Sequence, residues 1–112
     1  MTESGVLARR VYEAVNAQDL AAIDQLFAPD VVRHARREVG IDAARRSVVE
    51  AFAAAPSLRF VVEDVLSDGD RAALRVTVRG VPTGPDGVPP TILEIFRFHE
   101  DKVVEIWGAG TS

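Results

Sequence analysis

The stretch Ile92 to Trp107 reads ILEIFRFHEDKVVEIW and has the pattern of two strands joined around His99 to Lys102. In an extended strand alternate side chains share a face, so Ile92, Glu94, Phe96 and Phe98 point one way and Leu93, Ile95, Arg97 and His99 the other. Glu94 therefore falls in line with an isoleucine and two phenylalanines. If that face packs on the core, Glu94 is a buried acid whose protonation its surroundings control. If the same face is solvated, Glu94 is an ordinary surface charge. The opposite set is apolar at one end and polar at the other, so alternation alone leaves the choice open.

Working upstream, Ala72, Leu74, Val76 and Val78 alternate with Ala73, Arg75, Thr77 and Arg79, and Leu58, Phe60 and Val62 alternate with Arg59, Val61 and Glu63. Both runs read as strands. Between them Ser67 to Asp70, SDGD, forms a tight turn in which Gly69 can take a positive φ, so the pair is expected to make an antiparallel hairpin. The connection Arg79 to Thr91, RGVPTGPDGVPPT, holds four prolines and three glycines in thirteen residues, which excludes a central strand and suggests a rim or lid.

Further upstream the period changes to that of a helix. Leu7, Val11 and Val15 share a stripe with Tyr12 beside it, and Thr2 or Ser4 is available as a cap. Asn16 to Asp19 interrupts that helix. Asp19 can cap a second one bearing Leu20, Ile23, Leu26 and Phe27, which Pro29 is expected to end before a strand over Val31 to Ala35. A third helix follows Gly40 with Ile41, Ala44, Val48 and Phe52 on one side, and Pro56 closes it. Helices followed by a curled antiparallel sheet make an α+β domain, with the helices covering one face of the sheet.

Length and charge bound the function. A chain of 112 residues that is 47% hydrophobic fills one domain, residues 1–112. Its 13 basic against 17 acidic residues give a net charge of −4, without a basic, aromatic-interleaved stripe, so no nucleic-acid partner is expected. It has no cysteine, which excludes disulfides, a thiolate nucleophile and cysteine-based metal sites. Two histidines sixty-five positions apart, without clustered acids, make a poor metal set, and no metal or other cofactor is expected. The N-terminal segment lacks the pattern of a signal peptide and no apolar run approaches a membrane span, so a cytoplasmic location is expected.

The segments VYEAVNAQDLAAIDQLFAPDVVRH, VEDVLSDGDRAALRVTVRG and IFRFHEDKVVEIW resemble, in order and over nearly the whole chain, the signature segments of the nuclear-transport-factor-like superfamily, and most of all its SnoaL-like polyketide cyclase branch. The resemblance implies a cone: a curved, mainly antiparallel sheet wrapped around a long helix, with an apolar pocket opening at one end and a homodimer formed through the sheet's outer face. In the resembling cyclases an acid two positions before the phenylalanine of FRF projects into the pocket, and Glu94 holds that position. In the similar steroid isomerases the same position carries an acid kept protonated by apolar surroundings, where it donates to a developing oxyanion.

His34 matches a histidine common at this place in SnoaL-like sequences, where a neutral imidazole at the pocket mouth can orient a substrate oxygen or relay a proton. A lone histidine is more often structural. Tyr12 carries a phenol that can donate to a carbonyl oxygen, although the helix tyrosine of the steroid isomerases aligns with Val11, one residue away. Phe96, Trp107 and Phe52 are expected to line the pocket and touch substrate. The departures are equally specific. Pro82 stands where many such cyclases have a histidine, Gly108 to Gly110 follow Trp107 in place of their acids, and Ala35 aligns with the isomerases' general base. Ile92 and Gly108 stand in or near the places where epoxide hydrolases of this fold need an arginine and a second acid. Asp101 replaces the usual turn glycine, and aspartate tolerates the left-handed conformation better than most residues.

Two functions of different class follow as expectations. One is a cofactor-independent cyclase or isomerase-like enzyme using Glu94, His34 and Tyr12 for general acid/base chemistry on a small hydrophobic, polyketide-like carbonyl compound. The other is a non-catalytic module of the same fold that binds a hydrophobic ligand or dimerises.

Overall fold

In the computed structural model, which describes residues 2–110, the chain runs α1 (Ser4–Ala17), α2 (Leu20–Leu26), β1 (Phe27–Arg33), a 3-10 turn (His34–Arg36), β2 (Glu38–Val39), α3 (Ile41–Ala54), β3 (Arg59–Asp68), β4 (Arg71–Arg79), β5 (Thr91–His99) and β6 (Lys102–Gly110). The strands form one sheet in the order β2-β1-β6-β5-β4-β3. All neighbours are antiparallel except β1 and β6, which run parallel. Three helices on a mainly antiparallel sheet is the expected α+β fold. The short β2 and the parallel pairing were not legible in the strand patterns, because two residues carry no periodicity and alternation is the same for either direction.

The two faces of β5 differ sharply in exposure. Phe96 and Phe98 are 2% and 6% exposed, whereas Leu93 and Ile95 on the other face are 57% and 41% exposed. Glu94 therefore belongs to the inward set. On β4, Ala72, Leu74, Val76 and Val78 are buried and Arg71, Arg75 and Arg79 are exposed, as the alternation requires. Leu7, Ala8, Val11 and Tyr12 of α1 pack on this inner face, and a second cluster of Phe52, Leu58 and Val78 continues the core under α3. Burial of these side chains at about 25 cal/mol per Å² of apolar surface is the main favourable contribution to folding.

Local signals explain the joints. Gly69 takes φ 59° in the β3–β4 turn. Across the β5–β6 turn His99 pairs with Lys102, and both intervening residues, Glu100 and Asp101, have positive φ, the mark of a type I′ two-residue hairpin. Asp19 caps α2 by accepting the Ala22 N–H at 3.1 Å. Asn16 does more than interrupt α1: its side-chain amide donates to the Phe60 carbonyl and accepts the Phe60 N–H, both at 2.8 Å, so the helix end is stitched to β3.

Two expectations are corrected. Neither Thr2 nor Ser4 caps α1: Glu3 is the cap residue, and Ser4 lies inside the helix, its hydroxyl donating to the Arg71 carbonyl at 2.9 Å. Pro29 does not end α2, which stops at Leu26; it lies within β1, where the pairing with β6 slips between Phe27 and Val32. Such an irregularity suits a residue without an N–H. At the end of β4, Gly80 has φ 78° and a Cβ there would lie 1.9 Å from the Ser57 carbonyl oxygen, so this close approach of backbones requires glycine. Among the described residues no helix is long and apolar enough to cross a membrane.

Candidate active site

Between α1, α3 and the inner sheet face lies a cavity of about 470 Å³, within the usual range for small-molecule sites. Its wall is mainly apolar, including Val15, Phe27, Phe52, Phe60, Phe96 and Ile106. Five side chains bring polar atoms to it: Tyr12, Arg33, Arg36, Ser47 and Glu94.

Glu94 reaches the cavity because of its strand partner. Across β5 and β6 it pairs with Gly108, where a Cβ would come within 3.1 Å of Glu94 Cγ. The missing side chain leaves the carboxyl its space. Tyr12, 7% exposed, enters from α1 with its ring stacked on Phe96 at 6.2 Å and tilted against Phe60 at 5.6 Å. Its hydroxyl donates a hydrogen bond to Glu94 Oε1.

Burial raises the Glu94 carboxyl above the usual carboxylate range, opposed by the Tyr12 hydrogen bond and by the positive charge of Arg33. Burial also pushes the Tyr12 phenol well above its ordinary value, reinforced by the Glu94 charge and by the hydrogen bond, while Arg33 acts the other way. The two groups therefore differ: Tyr12 stays protonated as a hydrogen-bond donor, and Glu94 is the group whose proton can be exchanged.

The structure brings Tyr12, Phe52, Glu94 and Phe96 of the expected set to the cavity and places His34 and Trp107 elsewhere. The expectation that His34 stands at the cavity mouth is corrected. Arg33 pairs with Ile106 at the end of β1 and turns inward, whereas His34 begins the 3-10 turn and directs its ring to Trp107 and Glu105. Alternation on β6 turns Gly108 inward and Trp107 outward, which corrects Trp107 as cavity wall. On the outer face the two rings stack at 4.9 Å and 8°, and the Arg71 guanidinium lies 5.3 Å from the indole ring. His34 Nε2 lies 2.8 Å from Glu105 Oε2, and Arg97 Nε donates to Glu105 Oε1 at 2.6 Å. These bonds hold the half-buried Glu105 carboxyl below its usual range, the His34 bond contributing most.

Arg33, Arg36 and Gly108 were missed as cavity residues. Arg33 shares alternation with the buried Val31, so that signal was present in the sequence; Gly108 becomes visible only once the β5–β6 pairing sets it opposite Glu94. Arg36 depends on the 3-10 turn, which has no period to read. Among the described residues no group of three or more His, Asp or Glu stands close enough to hold a metal ion.

The profile of the SnoaL-like domain matches residues 8–106. No curated protein matches the chain at a significant level. Among solved structures, IdmH from Streptomyces antibioticus, a candidate polyketide cyclase, is 25% identical over 97% of this chain and 92% of its own, with a TM-score of 0.80. A candidate polyketide cyclase from Sinorhizobium meliloti is 27% identical over 92% and 93% of the two chains, with a TM-score of 0.79. A SnoaL-like polyketide cyclase from Agrobacterium tumefaciens shares the fold at a TM-score of 0.83 and 20% identity over 100% and 94%.

Proposed function

Because the chain belongs to the SnoaL-like domain family, we propose that its inner cavity binds a small hydrophobic carbonyl compound and that Glu94 performs general acid/base chemistry on it. The observation that supports this most is a single carboxyl set in an apolar cavity with a phenol hydrogen-bonded to it. In the proposed step Glu94 removes a proton from the carbon next to the carbonyl, and the electron pair moves into the carbonyl oxygen to form an enolate. Arg33 supplies positive charge beside that oxyanion, and Tyr12 can redirect its O–H to it. For a ring closure the enolate carbon attacks a second carbonyl of the same molecule, and Glu94 returns its proton to the resulting alkoxide. For a double-bond shift the proton returns to a different carbon. Both need no redox partner.

The test is a thermal-shift screen of aromatic and polyketide-like carbonyl compounds, followed by product analysis of each one that stabilises the protein. A compound that both stabilises the protein and is converted supports the enzymatic function. Compounds that stabilise it but are never converted would instead make the cavity a non-catalytic binding site.

A homodimer belongs to the same proposal. Leu66, Leu93 and Ile95, 73%, 57% and 41% exposed, form an apolar patch on the outer sheet face beside Trp107. The ion pairs Arg75–Asp64 and Arg97–Glu105 flank it. An apolar strip with charges of both signs at its margins can complement a second copy of itself across a two-fold axis.

A further inference from the structure

The inner cavity has one acid but two guanidiniums, and they differ in how well the protein neutralises them. Arg33 has a largely covered side chain, 20% exposed, and lies 3.6 Å from Glu38 Oε2; its charge also acts on Glu94. Arg36 is exposed at the cavity edge and has no ion pair among the described residues. In a protein of net charge −4, an uncompensated cation at the opening of an apolar cavity is a local attractor for anions.

Arg36 is also held in place. The 3-10 turn His34–Arg36 closes with the Arg37 N–H donating to the His34 carbonyl at 3.2 Å, and Arg37 adopts φ 52°. The other end of the turn is pinned on the outer face by the stacking of His34 on Trp107 and by its bond to Glu105. Ala35, between the two, lines the cavity with only a methyl group.

We propose that the compound held in this cavity carries an anionic head group, carboxylate or phosphate, which Arg36 meets at the mouth, while the apolar body extends inward past Arg33 toward Glu94. This rests on the cavity being the ligand site, as proposed above. Arg suits either anion because its planar fork of donors matches two oxygens at once.

The test is titration calorimetry of 2-naphthoate, 2-naphthyl phosphate and methyl 2-naphthoate, which share one apolar body, against the parent, Arg36→Ala and Arg36→Lys proteins. The parent is expected to bind at least one of the two anions about tenfold or more tightly than the ester, and the preferred anion identifies the head group. Arg36→Ala should erase that preference without altering ester binding, and Arg36→Lys should keep part of it. Added salt should weaken the anions and leave the ester unaffected. An ester that binds the parent as tightly as both anions, or an Arg36→Ala protein that keeps the preference, would overturn the anionic head while leaving the apolar cavity intact. Failure of all three to bind would overturn the cavity as a ligand site and this inference with it.

Discussion

Replacing Glu94 by glutamine is expected to lower turnover by about 10²- to 10⁴-fold, the usual contribution of a positioned acid or base, while the ligand still binds. Glutamine has nearly the same shape, and its amide oxygen can accept the Tyr12 hydroxyl as the carboxylate does. What it lacks is a proton that can be taken and returned. The same variant carries a thermodynamic signature. Burial holds the folded carboxyl above its ordinary range, so the folded state binds this proton more tightly than the unfolded chain. The contribution of this group to stability is thus fully present at low pH and is lost as pH rises through the folded midpoint. Compared with the parent, Glu94→Gln should gain stability over that interval in thermal unfolding measured across pH. Full turnover in the variant would remove Glu94 from the chemistry.

Leu93→Glu is expected to weaken self-association by about 10²-fold or more while leaving the cavity unchanged. Leu93 is one residue from Glu94 yet 57% exposed on the opposite face, beside Ile95 and within the outer groove that Trp107 and Ala109 also line. In a two-fold interface each substitution appears twice, so two carboxylates would be buried without partners, at a cost of several kcal/mol. Sedimentation equilibrium of the parent should give twice the 12.1 kDa chain mass and that of the variant the single mass at micromolar concentration. A parent that sediments as a monomer would contradict the dimer.

How far the sequence could be read follows from which signals are periodic. Alternation on β4 specified which residues face the core, alternation on β5 separated two faces without saying which was inward, and the turn residues Gly69 and Asp101 specified the hairpins, because these signals are local. Phe52 and Tyr12 could be placed near the core from helical spacing, whereas the inward placing of Glu94 and Phe96 came from the family position of the acid before FRF. Trp107 was misplaced although its own strand carried the correction, since the adjacent Ile106 is buried, whereas His34 begins the 3-10 turn, where alternation ends. The parallel joining of β1 to β6 and the swing of Arg36 toward the cavity depend on contacts between distant segments, and no window of neighbouring residues contains them.

The protonation of Glu94 is the most direct observable. Carbon-detected NMR of the side-chain carboxyl, assigned by comparison with Glu94→Gln, should show it titrating above 4.5, the ordinary glutamate value, and Glu105, held down by its bonds to His34 and Arg97, titrating below it in the same spectrum. A Glu94 midpoint at or below the ordinary value would mean that the cavity does not hold its proton, and would contradict an acid/base site at this position.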